Sequence, residues 1–99
     1  MNSGSIQTPD LKTTTDISTL LGKPHKVVLF NDEHHSFEEV VIHVQRSVKC
    51  DLNKAYSITI EAHNNGKAIA YQGNLETCEM VESRLAGPPL RLCTEIQAG

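Results

Sequence analysis

The chain contains few of the residues that build large cores or reactive centres. Its 99 residues include no Trp, two Phe and two Tyr, so a folded core must be mostly aliphatic and small. Three cysteines, Cys50, Cys78 and Cys93, lie far apart and form no Cys-x-x-Cys pair, which argues against zinc and redox motifs. An odd number of cysteines without such pairing predicts reduced thiols, partly buried as small hydrophobic side chains.

Basic runs and long apolar runs are also missing. The formal net charge is -3, whereas nucleic-acid-binding domains normally carry a basic face, so we expect no nucleic-acid partner. No stretch is long enough to span a bilayer, and the first residues lack the basic start and apolar run of a secretory signal. The length allows one domain, and we expect a cytoplasmic monomer with no membrane association.

Residues 1–22 differ in composition from the rest of the chain. They are rich in Ser and Thr and sustain neither a helical nor a strand period. We predict a flexible N-terminal extension over 1–22, followed by a folded core over 23–99 that begins near the Gly22-Lys23-Pro24 step. The composition by itself assigns no role to this extension.

The folded core alternates strand and helix signals. Strands are predicted over residues 26–31, 67–72 and 90–96. Ser36 and Glu39 predict a capping box at the start of the first helix, Asp51 a cap for the second, and Gly66 its end. The third helix follows Gly73-Asn74. Each helix has one face that is expected to be buried. In the first helix this face is Phe37, Val40, Val41, Val44 and Val48. In the second it is Leu52, Ala55, Ile58, Thr59 and Ala62, and in the third it is Cys78, Val81 and Leu85.

The order β-α-α-β-α-β predicts the fold class. It indicates an α/β (α+β) fold, a small two-layer sandwich in which a three-stranded antiparallel sheet packs against three helices. No glycine-rich loop follows the first strand, so the pattern is not that of a parallel nucleotide-binding unit.

Titratable side chains cluster where the first strand meets the first helix. Asn31, Asp32, Glu33, His34 and His35 follow the strand directly. Adjacent carboxylates at such a junction are costly to desolvate unless something offsets their charge. The junction therefore predicts recognition of a cation: a lysine ammonium, a metal ion or the free α-amino group of a peptide. A solvated turn with a helix cap explains the same residues, and the pattern leaves both interpretations open.

Three stretches of the core, taken in order, carry a family resemblance. They read Lys26-Val-Val-Leu-Phe-Asn-Asp-Glu, Ala62-His63-Asn-Asn-Gly-Lys-Ala68 and Pro89-Leu90-Arg91. At this spacing the chain resembles the Clp protease adaptor family, ClpS, over about residues 24–96. The resemblance implies an N-end rule receptor, an adaptor that binds proteins with a free bulky hydrophobic N-terminal residue (an N-degron). It further implies delivery to the N-terminal domain of a Clp AAA+ unfoldase of the ClpA or ClpC type, with no cofactor and no catalysis.

The same resemblance implies two groups of binding residues. An α-amino group is mostly cationic at neutral pH, and carboxylates with a neutral histidine can accept its hydrogen bonds. The residues implied for that group are Asn31, Asp32, Glu33 and His63. Those implied for the pocket that takes the first side chain are Phe37, Val40, Thr59, Ala62 and Leu90. Val40 and Ala62 can equally be ordinary core residues.

The chain departs from the family pattern inside this implied site. Glu33 stands where members commonly have a second Asp, and Phe37 and Thr59 stand where many have Met. Phenylalanine is stiffer than methionine, and threonine adds a hydroxyl to the wall. We expect an altered size preference, narrowed to a subset of Leu, Phe, Tyr and Trp.

The third helix carries the residues implied for unfoldase docking. Glu76 and Glu79 fall where the family often has acidic docking residues, but Val81 stands where a lysine is common. The departure is compatible with a divergent paralogue that serves a different unfoldase.

Three other readings of the same residues stay open. A metal site could join His34 or His35 to Asp32 or His63, but no helical histidine pair supports it, and we expect no metal. A small hydrolase could use His63 as a general base with Asp32 or a cysteine, although no nucleophile motif is present. The third is a ClpS-like interaction module without N-degron binding. His43 is expected to be a partly exposed helix residue.

Overall fold

Three strands and three helices make up the described part of the chain. The computed structural model describes residues 23–99, so the predicted extension over residues 1–22 lies outside the described residues. The order β-α-α-β-α-β is confirmed. The elements are strand β1 (Pro24–Phe30), helix α1 (Phe37–Val48), helix α2 (Leu52–Asn65), strand β2 (Lys67–Asn74), helix α3 (Leu75–Leu85) and strand β3 (Thr94–Ala98).

The sheet is antiparallel, with β1 between β2 and β3. Leu29 pairs with Ala68 on one side and with Thr94 on the other. Leu29, Val27 and Ala68 are buried in one core cluster with residues of all three helices. The predicted α+β class and three-stranded antiparallel sheet are therefore confirmed.

Short-range hydrogen bonds define the helix ends that the sequence predicts. The Ser36 hydroxyl accepts from the Glu39 N–H at 3.1 Å, and the Glu39 carboxylate accepts from the Ser36 N–H at 2.9 Å, which completes the capping box. Asp51 accepts from the Lys54 N–H at 2.8 Å at the start of α2. Gly66 ends α2 with φ +90°, in the left-handed region that glycine adopts without strain.

The last strand begins later than predicted because the chain folds back after α3. Arg91 has φ +53°, which breaks an extended path, and the Leu92 N–H donates to the Leu85 carbonyl at 2.9 Å. Leu92 is buried by this turn, and pairing with β1 starts only at Thr94. The predicted strand over residues 90–96 is thus corrected to Thr94–Ala98.

Two predictions about burial are wrong. Leu52 is 56% exposed because it is the first residue of α2, in a first turn whose residues 52–54 are all exposed. His43, predicted to be partly exposed, is 7% exposed, and its Nε2 donates to the Leu85 carbonyl at 3.0 Å. That bond gives the buried imidazole a partner and joins α1 to the end of α3. The other predicted helix positions are buried or pack partly buried against the core.

Helix length in the described part of the chain bears on membrane insertion. Between residues 23 and 99, no helix is long and apolar enough to cross a membrane.

Candidate functional site

The end of β1 lies beside the end of α2. Phe30 pairs with Lys67 across the β1–β2 ladder, and the Asn31 N–H donates to the Gly66 carbonyl at 2.9 Å. Because Gly66 caps α2, this bond brings the residues that follow β1 next to the last turn of that helix, which carries His63. Side chains distant in sequence therefore meet at one place.

A cavity of about 520 Å³ occupies this place. The loop between β1 and α1 and the last turn of α2 supply its polar lining, and α1, α2 and the end of β1 supply most of its apolar lining. The polar side chains are Asn31, Asp32, Glu33, His35 and His63. The apolar and weakly polar ones include Leu29, Phe37, Val40, Tyr56, Thr59, Ile60 and Ala62.

The cavity brings together eight of the nine residues implied for amine and side-chain binding. Asn31, Asp32, Glu33, His63, Phe37, Val40, Thr59 and Ala62 all line it. Their roles in binding remain predictions.

Leu90 does not lie with these residues. It lines a second cavity of about 610 Å³, together with His43, Arg46 and Arg84. The reason is the turn after α3, which carries Leu90 toward one face of α1 and the last turn of α3 rather than toward the β1–α1 loop. The assignment of Leu90 to the candidate pocket is corrected accordingly.

Asp32 is held by two hydrogen bonds from His35. Its Oδ2 accepts from the His35 backbone N–H at 2.9 Å and lies 3.0 Å from the His35 Nδ1. The Asp32 side chain is 12% exposed and that of His35 28%. Hydrogen bonds to a mostly buried carboxylate offset part of its desolvation cost.

Glu33 differs from Asp32 in its surroundings. The residue is exposed, and within residues 23–99 no group donates a hydrogen bond to its carboxylate. The Oδ1 of Asp32 likewise has no donor in that range. The cavity thus presents carboxylate oxygens that can accept hydrogen bonds from a cationic ligand.

An aromatic pair and a satisfied threonine form part of the apolar lining. Phe37 and Tyr56 meet edge to face, with ring centroids 5.3 Å apart and an interplanar angle of 73°. The Thr59 hydroxyl donates to the Ala55 carbonyl at 2.8 Å, so its proton is used within α2. The wall is therefore less polar at Thr59 than the hydroxyl alone suggests.

Sequence reasoning missed His35, Tyr56 and Ile60 as lining residues. The signal for the two α2 residues was present, because positions 56, 59, 60 and 63 follow helical spacing and share one face. That face is adjacent to the buried stripe of the helix. The signal for His35 is Asp32, because an Asp three residues before it is a common local hydrogen-bonding arrangement.

Neither metal ligation nor cysteine chemistry is supported by the described residues. Over residues 23–99, no group of three His, Cys, Asp or Glu side chains is arranged to hold a metal ion. Cys50, Cys78 and Cys93 are free thiols, and none lines the cavity. Burial raises the pKa of the Cys78 thiol, and burial with the Asp51 charge raises that of Cys50.

The residues predicted for docking lie on α3. Glu76 and Glu79 are exposed there, next to the exposed apolar side chains of Leu75 and Met80. Val81 is buried in the core, so it adds no side chain to the exposed surface of α3.

Most of the chain matches one known protein family. The family model for the ATP-dependent Clp protease adaptor protein ClpS matches residues 22–92. The chain is 38% identical over 52 residues to the E3 ubiquitin-protein ligase UBR1 of Mus musculus and 30% identical over 56 residues to human UBR2. These segments are 52% and 57% of the chain but span 3% of the length of each ligase.

A solved structure supports the fold. The structure of Agrobacterium tumefaciens ClpS2 bound to L-phenylalaninamide superposes with a TM-score of 0.71. The match covers 78% of this chain and 98% of that protein, at 17% sequence identity. At this identity the likeness establishes a shared fold.

Proposed function

This chain belongs to the ClpS family of ATP-dependent Clp protease adaptor proteins, and from that membership we propose that it is an N-degron receptor. In this proposal it binds proteins that begin with a free bulky hydrophobic residue and delivers them to a Clp AAA+ unfoldase. The observation that carries the proposal is a cavity that combines carboxylate oxygens, for which residues 23–99 supply no donor, with an aliphatic and aromatic wall.

The polar lining suits a free α-amino group. An ammonium carries three donors, and Glu33, Asp32 Oδ1 and His63 offer acceptors in the cavity. A single charge pair at about 4 Å and intermediate dielectric is worth up to roughly 4 kcal/mol before desolvation costs. The net gain is smaller, but it suffices to discriminate against an acetylated N-terminus, which has neither the charge nor the three donors.

The apolar lining suits a large first side chain. Burying a Leu or Phe side chain contributes about 1.5–3 kcal/mol. L-Phenylalaninamide, the ligand of the related Agrobacterium protein, combines a free α-amino group with an aromatic side chain. The same combination matches the lining of the cavity in this chain. Affinity then requires both a free N-terminus and a bulky residue.

We propose that an adaptor of this kind binds an unfoldase and catalyses no reaction itself. We assign the N-terminal domain of a ClpA- or ClpC-type unfoldase as the partner, with Glu76 and Glu79 at the docking surface. The ubiquitin ligases share only a segment that is 3% of their length, so the similarity does not extend to a whole ligase. We propose that this chain binds its substrates without catalysis and without a cofactor.

Fluorescence anisotropy with a labelled Leu-start peptide tests the proposal. The free-amine peptide is expected to bind, and the N-acetylated peptide is expected to bind at least about tenfold more weakly, a difference of 1.4 kcal/mol. Repeating the titration with Phe, Tyr and Trp starts covers the other bulky residues. Failure of all free-amine peptides to bind would contradict the proposal.

Substitution of Asp32 distinguishes the alternatives. Asp32→Ala is expected to weaken binding of the free-amine peptide while leaving the fold intact by circular dichroism. A ClpS-like interaction module without N-degron binding would show no peptide affinity to lose. A hydrolase would release the label from the peptide over time, which mass spectrometry of the titration mixture detects.

A further inference from the structure

His35 is placed to act on the binding site through Asp32. The imidazole Nδ1 and the backbone N–H of His35 both lie within 3.0 Å of one carboxylate oxygen, Asp32 Oδ2. An ionised carboxylate only accepts hydrogen bonds, so the Nδ1 must carry the proton. Two donors on the same oxygen fix the rotation of the carboxylate and leave Oδ1 as its remaining acceptor.

The same contacts hold the loop between β1 and α1. Asp32 and His35 both belong to this loop, residues 31–36, and Glu33 lies between them. The Asn31 N–H anchors the start of this loop to Gly66, and the Ser36 capping box anchors its end to α1. Between these two anchored ends, the hydrogen bond from the His35 imidazole to the Asp32 carboxylate connects two side chains of the loop.

We propose that His35 is a positioning residue for recognition of the substrate α-amino group. It holds Asp32 in one rotamer and the loop in one shape, so that Asp32 Oδ1 and the Glu33 carboxylate face the ligand ammonium. This inference rests on the proposed function and assigns a role that the sequence motif alone does not contain. Preorganised acceptors bind more tightly because less conformational freedom is lost on binding.

A variant that tests His35 must keep the other titratable side chains of the cavity. They are Glu33, His63 and Tyr56, and all three remain in a His35 variant. His34 provides a matched control, because it is exposed, does not line the cavity and, in the range 23–99, forms no side-chain hydrogen bond.

The test compares His35→Ala, His35→Asn and His34→Ala by anisotropy. His35→Ala is expected to weaken binding of the free-amine Leu peptide about three- to tenfold, the size of the net contribution of one typical intramolecular hydrogen bond. His35→Asn is expected to restore affinity to within about twofold, because the Asn amide can donate in place of Nδ1. His34→Ala is expected to bind like wild type.

Two readouts separate positioning from general damage to the fold. The ratio of affinities for Leu-start and Ala-start peptides is expected to stay constant in His35→Ala, because the apolar wall is untouched. The ratio of affinities for free-amine and acetylated peptides is expected to fall in His35→Ala, because only the free amine uses the carboxylates that His35 positions. Equal loss in both ratios, or no rescue by His35→Asn, would overturn the role of His35.

The tautomer of His35 gives an independent measurement. Long-range ¹H–¹⁵N spectra of the free protein are expected to show a proton on Nδ1 that depends on Asp32 and changes in Asp32→Asn. An unprotonated Nδ1 in the wild type would overturn the inference. Wild-type protein that binds no free-amine peptide would overturn the proposed function as well, whereas wild-type binding that His35→Ala leaves unchanged would overturn only this inference.

Discussion

Tyr56 and Phe37 join α2 to the start of α1 through an edge-to-face contact, with ring centroids 5.3 Å apart. Both rings line the candidate cavity. Phe37 is partly buried against the core, whereas Tyr56 is 52% exposed and keeps ring surface available to a ligand. The pair therefore offers aromatic surface where a first side chain would enter.

The first prediction concerns this exposed ring. Tyr56→Ala is expected to weaken binding of Phe-, Tyr- and Trp-start peptides about two- to tenfold, since an aromatic pair contributes about 0.5–1.5 kcal/mol beyond buried area. The loss for a Leu-start peptide is expected to be smaller. Leu52→Ala is the control, because Leu52 is also exposed on α2 but does not line the cavity. Equal losses for Leu and Phe peptides would contradict a specific role for the ring.

The second prediction concerns size preference. Competition among Leu-, Phe-, Tyr- and Trp-start peptides is expected to show unequal affinities, because Phe37 is a stiffer wall than the methionine common in the family. Phe37→Met is expected to reduce the spread among the four peptides. Equal affinities in the wild-type protein would show that the substitution does not narrow the pocket.

The third prediction concerns docking. Replacing Glu76 and Glu79 by Lys is expected to weaken binding to the isolated N-terminal domain of a ClpA- or ClpC-type unfoldase, measured by calorimetry. Exposed ion pairs contribute about 0.2–1 kcal/mol, so the loss should reach up to about fivefold for each residue and shrink at high salt. Peptide affinity should not change. Glu61→Lys, an exposed residue of α2, is the matched control, and an equal effect there would indicate only a general charge effect.

The fourth prediction concerns thiol reactivity. Cys93 is exposed and is expected to react first with iodoacetamide at pH 7, with Cys78 last. Burial raises the pKa of Cys78, and the thiolate is the reactive form, so its folded-state labelling should begin at a higher pH than that of an ordinary thiol. Mass spectrometry of the labelled peptides gives the order. In denaturant the three rates should converge, and early labelling of folded Cys78 would contradict its burial.

The fifth prediction concerns the buried histidine. His43→Ala removes one of the two donors to the Leu85 carbonyl, the other being the Leu92 N–H, and leaves a gap where the buried imidazole packed. It is expected to lower the free energy of unfolding by about 1–3 kcal/mol in urea titrations. Ile42→Ala, an exposed neighbour on α1, should change it by less than about 0.5 kcal/mol. Peptide affinity should be unchanged at temperatures where the variant is folded, because His43 lies outside the candidate cavity. A loss of peptide affinity in the folded variant would contradict this and indicate coupling between the candidate cavity and the second cavity, which His43 lines.

The helix ends show which parts of this fold are readable in advance. Ser36 with Glu39, Asp51 with Lys54, and Gly66 all act within a few residues, so short sequence patterns contain both partners of each contact. The same holds for element order, because hydrophobic period and turn residues are local properties. Most of the candidate site also followed from residue identity, through the resemblance of the strand–loop–helix segments to one family.

The errors have a different physical origin. Leu90 and the start of β3 depend on how the chain turns after α3, and the Leu92–Leu85 bond that defines this turn joins residues on its two sides. His43 is buried because the end of α3 covers it, a contact across 42 residues of sequence. No local pattern contains both partners of such a contact.

The sequence by itself determined the helices, their caps, the strand order along the chain and the residue types near the amine-binding motif. Tertiary structure decided which of those residues share one cavity, because the Asn31–Gly66 bond and the packing of α1 on α2 join segments distant in sequence. It also decided the rotamer of Asp32, since His35 can hold the carboxylate only in the loop shape that these anchors impose. Local interactions determine where helices and strands form, whereas packing between them determines which side chains line one cavity.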